Sequence, residues 1–238
     1  MKTYALYLES GPQKKTTMVH VLELPGCVAN GKTTDAALAA TPDAIRAYLV
    51  FLKRHGAEVD PKAPFEIRVA EHITKGEFLG QGSPSALYEP DLRPLTPTDI
   101  ASHVHLLEWS RADLLRLIDG LDARRLAQKP AGRGRPIENI LKHVLEAEKG
   151  YIYSVLGVTK TVHVPVSEGL HDRLDLRIAL HQARVAAIDR VKAMTPAERR
   201  SNRRTGAYVR TPRRMLRRML EHEWEHRREI AARLGQEA

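Results

Sequence analysis

Residues 211–234 read TPRRMLRRMLEHEWEHRREIAARL, and this stretch decides the fold. Thr211 followed by Pro212 is a helix cap followed by the residue best suited to the first helical position, and Gly235 closes the segment. Met215, Leu216, Met219, Leu220, Ile230 and Leu234 recur at helical spacing and predict one long amphipathic helix. His222 and His226 stand one turn apart on the flank of that stripe. Two imidazoles so spaced can share a metal ion, and burying them without a partner would cost desolvation. The pair is weak evidence by itself, because the chain holds eleven histidines.

The same periodicity upstream predicts three more helices: about Pro97 to Asp119, Pro136 to Leu156, and Asp172 to Met194. Four such segments predict an all-α antiparallel four-helix bundle, with the 157–171 connection crossing its end. His143 lies midway along the second helix, beside Ile140, Val144 and Ala147. His143, His222 and His226 together make a three-nitrogen site that leaves a position open for water or substrate. Glu146 and Glu225, each three residues from a ligand, are placed either to orient imidazoles or to face solvent. Arg218, one turn before His222, is expected to hold an anionic group of an incoming ligand. The other histidines, His20, His55, His72, His103, His105, His163, His171 and His181, read as surface or partly buried residues. Trp109, Tyr151 and Trp224 read as core or rim, and an aromatic near the metal would line a pocket.

Before the helices the pattern is different. Residues 3–9 and 17–24 alternate as strands around a polar turn from Gly11 to Thr17, and Phe65 to Ile73 reads as a further strand. Thr34 or Asp35 is placed to cap a helix to about His55, with a kink or restart expected at Pro42. Glycine and proline crowd residues 80–97 and suggest a linker. The expected architecture is therefore α+β: a small α/β domain over 1–82, a linker over 83–96 and a helical domain over 97–238.

Hydrophobic residues make up 42% of the 238, enough for real cores, and no apolar run approaches the ~20 residues that cross a bilayer. The opening MKTYALYLESG has no signal-peptide character, so a cytoplasmic protein is expected. Cys27 is the single cysteine and excludes an internal disulfide. The net charge is +9, and nine of the twenty residues from Arg199 to Arg218 are arginine. That segment is either a solvated loop and helix face or a contact surface for an anionic ligand, nucleic acid or acidic partner. The lack of clear stacking aromatics or a reading helix argues against nucleic acid.

Two resemblances follow from the quoted residues. Residues 95–238 resemble the DinB-like four-helix-bundle metalloprotein superfamily, through Ile137–Glu148 around His143 and Met219–Ile230 around His222 and His226. The resemblance implies that these three histidines bind a divalent metal, most often zinc or nickel. It also implies, for some members, a thiol-dependent transferase or isomerase in which a low-molecular-weight thiol meets the metal. Residues 1–75 resemble the HicB-like antitoxin fold, through Leu22–Thr33 and the helix that follows with Asp35, Ala36, Ala37 and Leu38. It implies a module for self-association, as in a homodimer, or for a protein partner. The expected function is a metal-binding protein acting on a small molecule, possessing a thiol-transferase-like activity if it is an enzyme. The alternative is a non-enzymatic, antitoxin-like or stress-related interaction module with a structural metal.

Overall fold

The computed structural model describes residues 1–11 and 16–236, so most of the polar turn expected between Gly11 and Thr17 lies outside the described residues. The chain is α+β and divides into two compact units: Met1–Arg93 with Asn202–Glu221, and Pro94–Ser201 with His222–Ala238. Among the described residues no helix is long and apolar enough to cross a membrane.

The first unit is built on a mixed sheet of β1 (Lys2–Ser10), β2 (Thr17–Val21), β3 (Val28–Gly31) and β4 (Phe65–Ile73), in the order β3-β2-β1-β4. β1 pairs antiparallel with β2 and parallel with β4, and a bulge at Ala70 shifts the β1/β4 register. Alternation sends Leu6, Leu8, Val19 and Val21 to one face and Tyr7, Glu9, Met18 and His20 to the other. Helix α1 (Thr34–Arg54) packs against β2 and β3. Its cap is Thr33, one residue earlier than expected, because the Thr33 side chain accepts from the Ala36 amide; the helix continues through Pro42 without a restart. Gly31 ends β3 where a Cβ would lie 2.3 Å from the Ala37 amide nitrogen, so only glycine lets strand and helix approach this closely.

The Gly/Pro-rich segment after β4 is packed in place. Leu79, Ala86 and Tyr88 form a buried cluster with Tyr7, Leu22 and Ile73. The segment is fastened by the first turns of α8 (Pro212–Leu234): Thr211 Oγ1 donates to Asp91 O at 2.7 Å, and Arg214 to Ala86 O at 2.9 Å and Ser83 O at 2.6 Å. The composition of residues 80–97 encodes turns, and turn residues are the same whether a segment is free or pinned. A hairpin of β5 (Arg203–Thr205) and β6 (Tyr208–Arg210) precedes α8, in a region where no strand was expected.

Beneath Tyr88 lies a buried charged network. His20 Nε2 is 3.1 Å from Glu9 Oε1 and its Nδ1 is 2.8 Å from Glu221 Oε1. Glu9 also accepts from the amides of Gly80 and Ser83 at 3.0 Å. Arg217 bridges Glu221 at 3.0 Å and Asp91 at 2.7 Å. Burial pushes the His20 pKa down and Arg217 does the same, but the charge and hydrogen bond of Glu221 and the hydrogen bond of Glu9 outweigh them and raise it.

The second unit holds α2 (Pro97–Leu117), α3 (Ala123–Ala127), α4 (Ile137–Leu156), α5 (Lys160–Leu170), α6 (Leu176–Lys192), α7 (Pro196–Arg199) and the α8 residues from His222 onward. The long helices fall where periodicity places them. α6 starts four residues later than expected because the Asp175 side chain accepts from the amides of Arg177 and Ile178. The 157–171 connection is itself largely helical as α5, which packs on α4 and α6.

Four buried charges, one from each long helix, meet at the centre of this unit. Arg111 of α2 lies 2.6 Å from Glu148 of α4 and 2.5 Å from Glu223 of α8. Arg184 of α6 lies 2.5 Å from Glu148 and 2.8 Å from Glu223. Each side chain is at most 4% exposed. The four charges cancel, and each guanidinium also donates to a carbonyl, Arg111 to Leu180 and Arg184 to Leu107. A second buried contact places Arg227 3.4 Å from Asp113 and its guanidinium 4.5 Å above the Trp224 ring.

Arg184→Ala is expected to destabilise the protein by about 3–5 kcal/mol in denaturant unfolding, because it strands buried carboxylates. Joint replacement of Arg111, Glu148, Arg184 and Glu223 by apolar residues of similar volume is expected to cost far less than that single change. For His20 the folded-state pKa is raised, so its stabilisation is complete below the unfolded value of about 6.5 and fades as pH rises through the folded value. The stability difference between wild type and His20→Gln should therefore shrink as pH rises above about 6.5; a constant difference would show that the imidazole carries no charge.

Candidate metal centre

α4 and the C-terminal part of α8 bring His143, His222 and His226 together. One ring nitrogen from each lies within 4.8 Å of the others. His143 Nε2 and His222 Nε2 are 3.0 Å apart, close to the roughly 3.3 Å that separates two nitrogens in a tetrahedral site with bonds of about 2.0–2.1 Å. Ring centroids are 4.8 Å apart for His143 and His222, 5.0 Å for His143 and His226, and 4.5 Å for His222 and His226. His222 and His226 are half-buried and His143 is exposed, so the cluster has one open side.

The local electrostatics favour the neutral form of His143 and His226, the form that donates a lone pair. Burial lowers the pKa of His143, and the charge of Arg135 lowers it further. Burial likewise lowers that of His226, against the opposing pull of Glu229. Glu229 Oε2 accepts from His226 Nδ1 at 2.9 Å, which fixes the tautomer and leaves Nε2 with the lone pair. Glu229 is held in turn by Arg233 at 2.7 Å. Tyr151 approaches His222 edge-on, with centroids 5.9 Å apart, and walls one side. Three imidazoles, one of them anchored by a carboxylate, are a donor set that fits a divalent cation of borderline softness.

The orienting carboxylate is Glu229. Glu146 is exposed and acts on His143 through charge, and Glu225 is half-buried. Glu229 stands three residues from His226, the same spacing that singled out Glu146 and Glu225, so the signal was present but not decisive. Arg218 does not serve as an anion holder: it is buried, 2.8 Å from Glu221, and its guanidinium fills the space where a Gly82 side chain would be. Arg135, in the loop before α4, is the cation beside the imidazoles. Sequence also gave no sign of His20's role, because its carboxylate partners stand 11 and 201 residues away. Of the remaining histidines, His72 Nε2 bonds Ser10 Oγ at 2.7 Å and His103 Nδ1 bonds Asp99 O at 2.7 Å. Neither joins the cluster of three.

A search of curated proteins and a search of solved structures each returned no match. A sequence model described as the DinB superfamily matches residues 106–230, from within α2 to the last turns of α8. The match spans just over half of the chain, includes all three clustered histidines and all four charges of the buried network, and does not reach residues 1–105. The chain belongs to the DinB superfamily.

Proposed function

We propose that His143, His222 and His226 bind one divalent cation, zinc or nickel, and that the centre serves thiol-dependent transfer chemistry on a small molecule. The observation that carries this reading is the gathering of three imidazole nitrogens within 4.8 Å from two helices, with His143 open to solvent. Membership of a superfamily that is generally metal-associated supports it. A bound divalent cation supplies Lewis acidity and lowers the pKa of a thiol or water beside it. The protein's own part is positional: Glu229 holds the His226 tautomer, Tyr151 walls the site, and Arg233 holds Glu229.

The second unit closes its centre through paired charges at Arg111, Glu148, Arg184 and Glu223, none of which belongs to the histidine cluster. A metal at the histidines is therefore not needed to complete that core, which favours a working centre over a structural staple. For residues 1–82, the HicB-like resemblance and the small sheet under one helix support a partner-binding or self-association module in the same chain.

Protein purified without an affinity tag is expected to hold about one zinc or nickel ion per chain by elemental analysis. His143→Ala and His222→Ala should each lose it, and chelation should lower the wild-type melting temperature. Consumption of a small thiol in the presence of an electrophile panel should be metal-dependent in the wild type and absent in His143→Ala. Stoichiometric metal retained by both variants, or none in the wild type, would sink the reading.

A further inference from the structure

The loop before α4 delivers a guanidinium to the histidine cluster and is built to hold it there. Arg135 Nη2 lies 3.4 Å from His226 Nδ1 and 3.9 Å from Glu229 Oε2. The backbone around it is tied to α8, because Arg233 donates to the Arg135 carbonyl while also holding Glu229 Oε1 at 2.7 Å. Gly134 lets the loop pass: its φ is 144°, and a Cβ there would lie 2.9 Å from Arg233 Nη2 and 3.1 Å from Pro130. The Arg135 side chain is 36% exposed, so one side faces the cluster and the other faces solvent.

Around the cluster the charges of Arg135 and Arg233 are offset by those of Glu229 and Glu146. Two guanidiniums, Arg135 and Arg233, flank one carboxylate, Glu229, and that carboxylate is engaged by His226 and Arg233. Glu146 faces His143 from α4 as an exposed charge. A divalent cation on three neutral imidazoles would therefore be the charge that makes the site net positive. A site with such a field selects for negative charge in what enters it.

We propose that Arg135 is the anion-recognition residue of this centre, and that the small molecule entering it carries a carboxylate beside the atom that meets the metal. The inference rests on the metal reading given above. A single guanidinium offers one planar fork of donors and one positive charge, which matches a monoanionic carboxylate.

The full chain loaded with cobalt(II) gives a spectroscopic test that does not depend on turnover. Mercaptoacetate and mercaptoethanol present the same thiol beside a charged and an uncharged oxygen group. Titrated against the cobalt absorption bands, mercaptoacetate is expected to bind the wild type about tenfold more tightly or better, the effect of one charge-assisted hydrogen bond. Arg135→Ala should abolish that preference, and Arg135→Lys, which keeps the charge without the fork, should retain part of it. Equal affinities in the wild type overturn the proposal. So does a preference that survives Arg135→Ala, which chelation by cobalt alone would produce. A chain that takes up no cobalt removes the metal reading and this inference with it; cobalt uptake without charge preference removes this inference alone.

Discussion

The second unit depends on four charges that must find one another. Arg111, Glu148, Arg184 and Glu223 come from four different helices, and each carboxylate is shared by both guanidiniums. Taking four charges out of water is costly, and the cost is offset only while the geometry holds. A helix turned by one residue, about 100°, would carry its charge away from the other three. Apolar packing tolerates small rotations; this arrangement does not. It therefore fixes which face of each helix is outermost. With Glu223 turned inward, His222 and His226 are carried round α8 to a neighbouring face. With Glu148 inward on α4, His143 lies toward that same face. The position of the histidine cluster follows from the pairing of charges that take no part in it.

The first half of α8 uses the same chemistry in the first unit. Arg214, Arg217, Arg218 and Glu221 are buried there, where they fasten the Gly/Pro-rich segment and enclose His20. Much of what looks like a basic stretch is thus internal structure. The arginines of the stretch that face solvent are Arg200 and, in the hairpin, Arg203 and Arg204. Arginine suits the interior role because its donors are fixed in a plane and can reach a carboxylate and a carbonyl at once, as Arg184 does toward Glu148 and Leu107.

The long helices were legible because Met215, Leu216, Met219 and Leu220, and their counterparts on the other helices, repeat at helical spacing. The histidine pair was legible because its spacing matches one turn. What could not be read was the burial of charge. The run from Glu221 to Glu229 contains no aliphatic residue, and composition alone assigns such a run to the surface. Its burial depends on Arg111, Arg184 and His20, which are remote in sequence. Arg135 was overlooked for the same reason: it stands 91 residues from His226, and its neighbours Gly132, Arg133 and Gly134 mark an ordinary loop. The short hairpin before α8 was missed because its three-residue strands are arginine-rich and lack an apolar face.

The outer strand of the sheet has a consequence of a different kind. Among the described strands β4 pairs only with β1, so its nine residues present a row of backbone donors and acceptors outward. Such an edge is a template for another strand. Here it carries the exposed charges of Glu66 and Arg68, and the bulge at Ala70 breaks the regular spacing an incoming strand would need. A free edge of this length is thereby kept from recruiting a neighbour. A second copy or partner that meets this edge would have to engage side chains, and could not simply extend the sheet from β4.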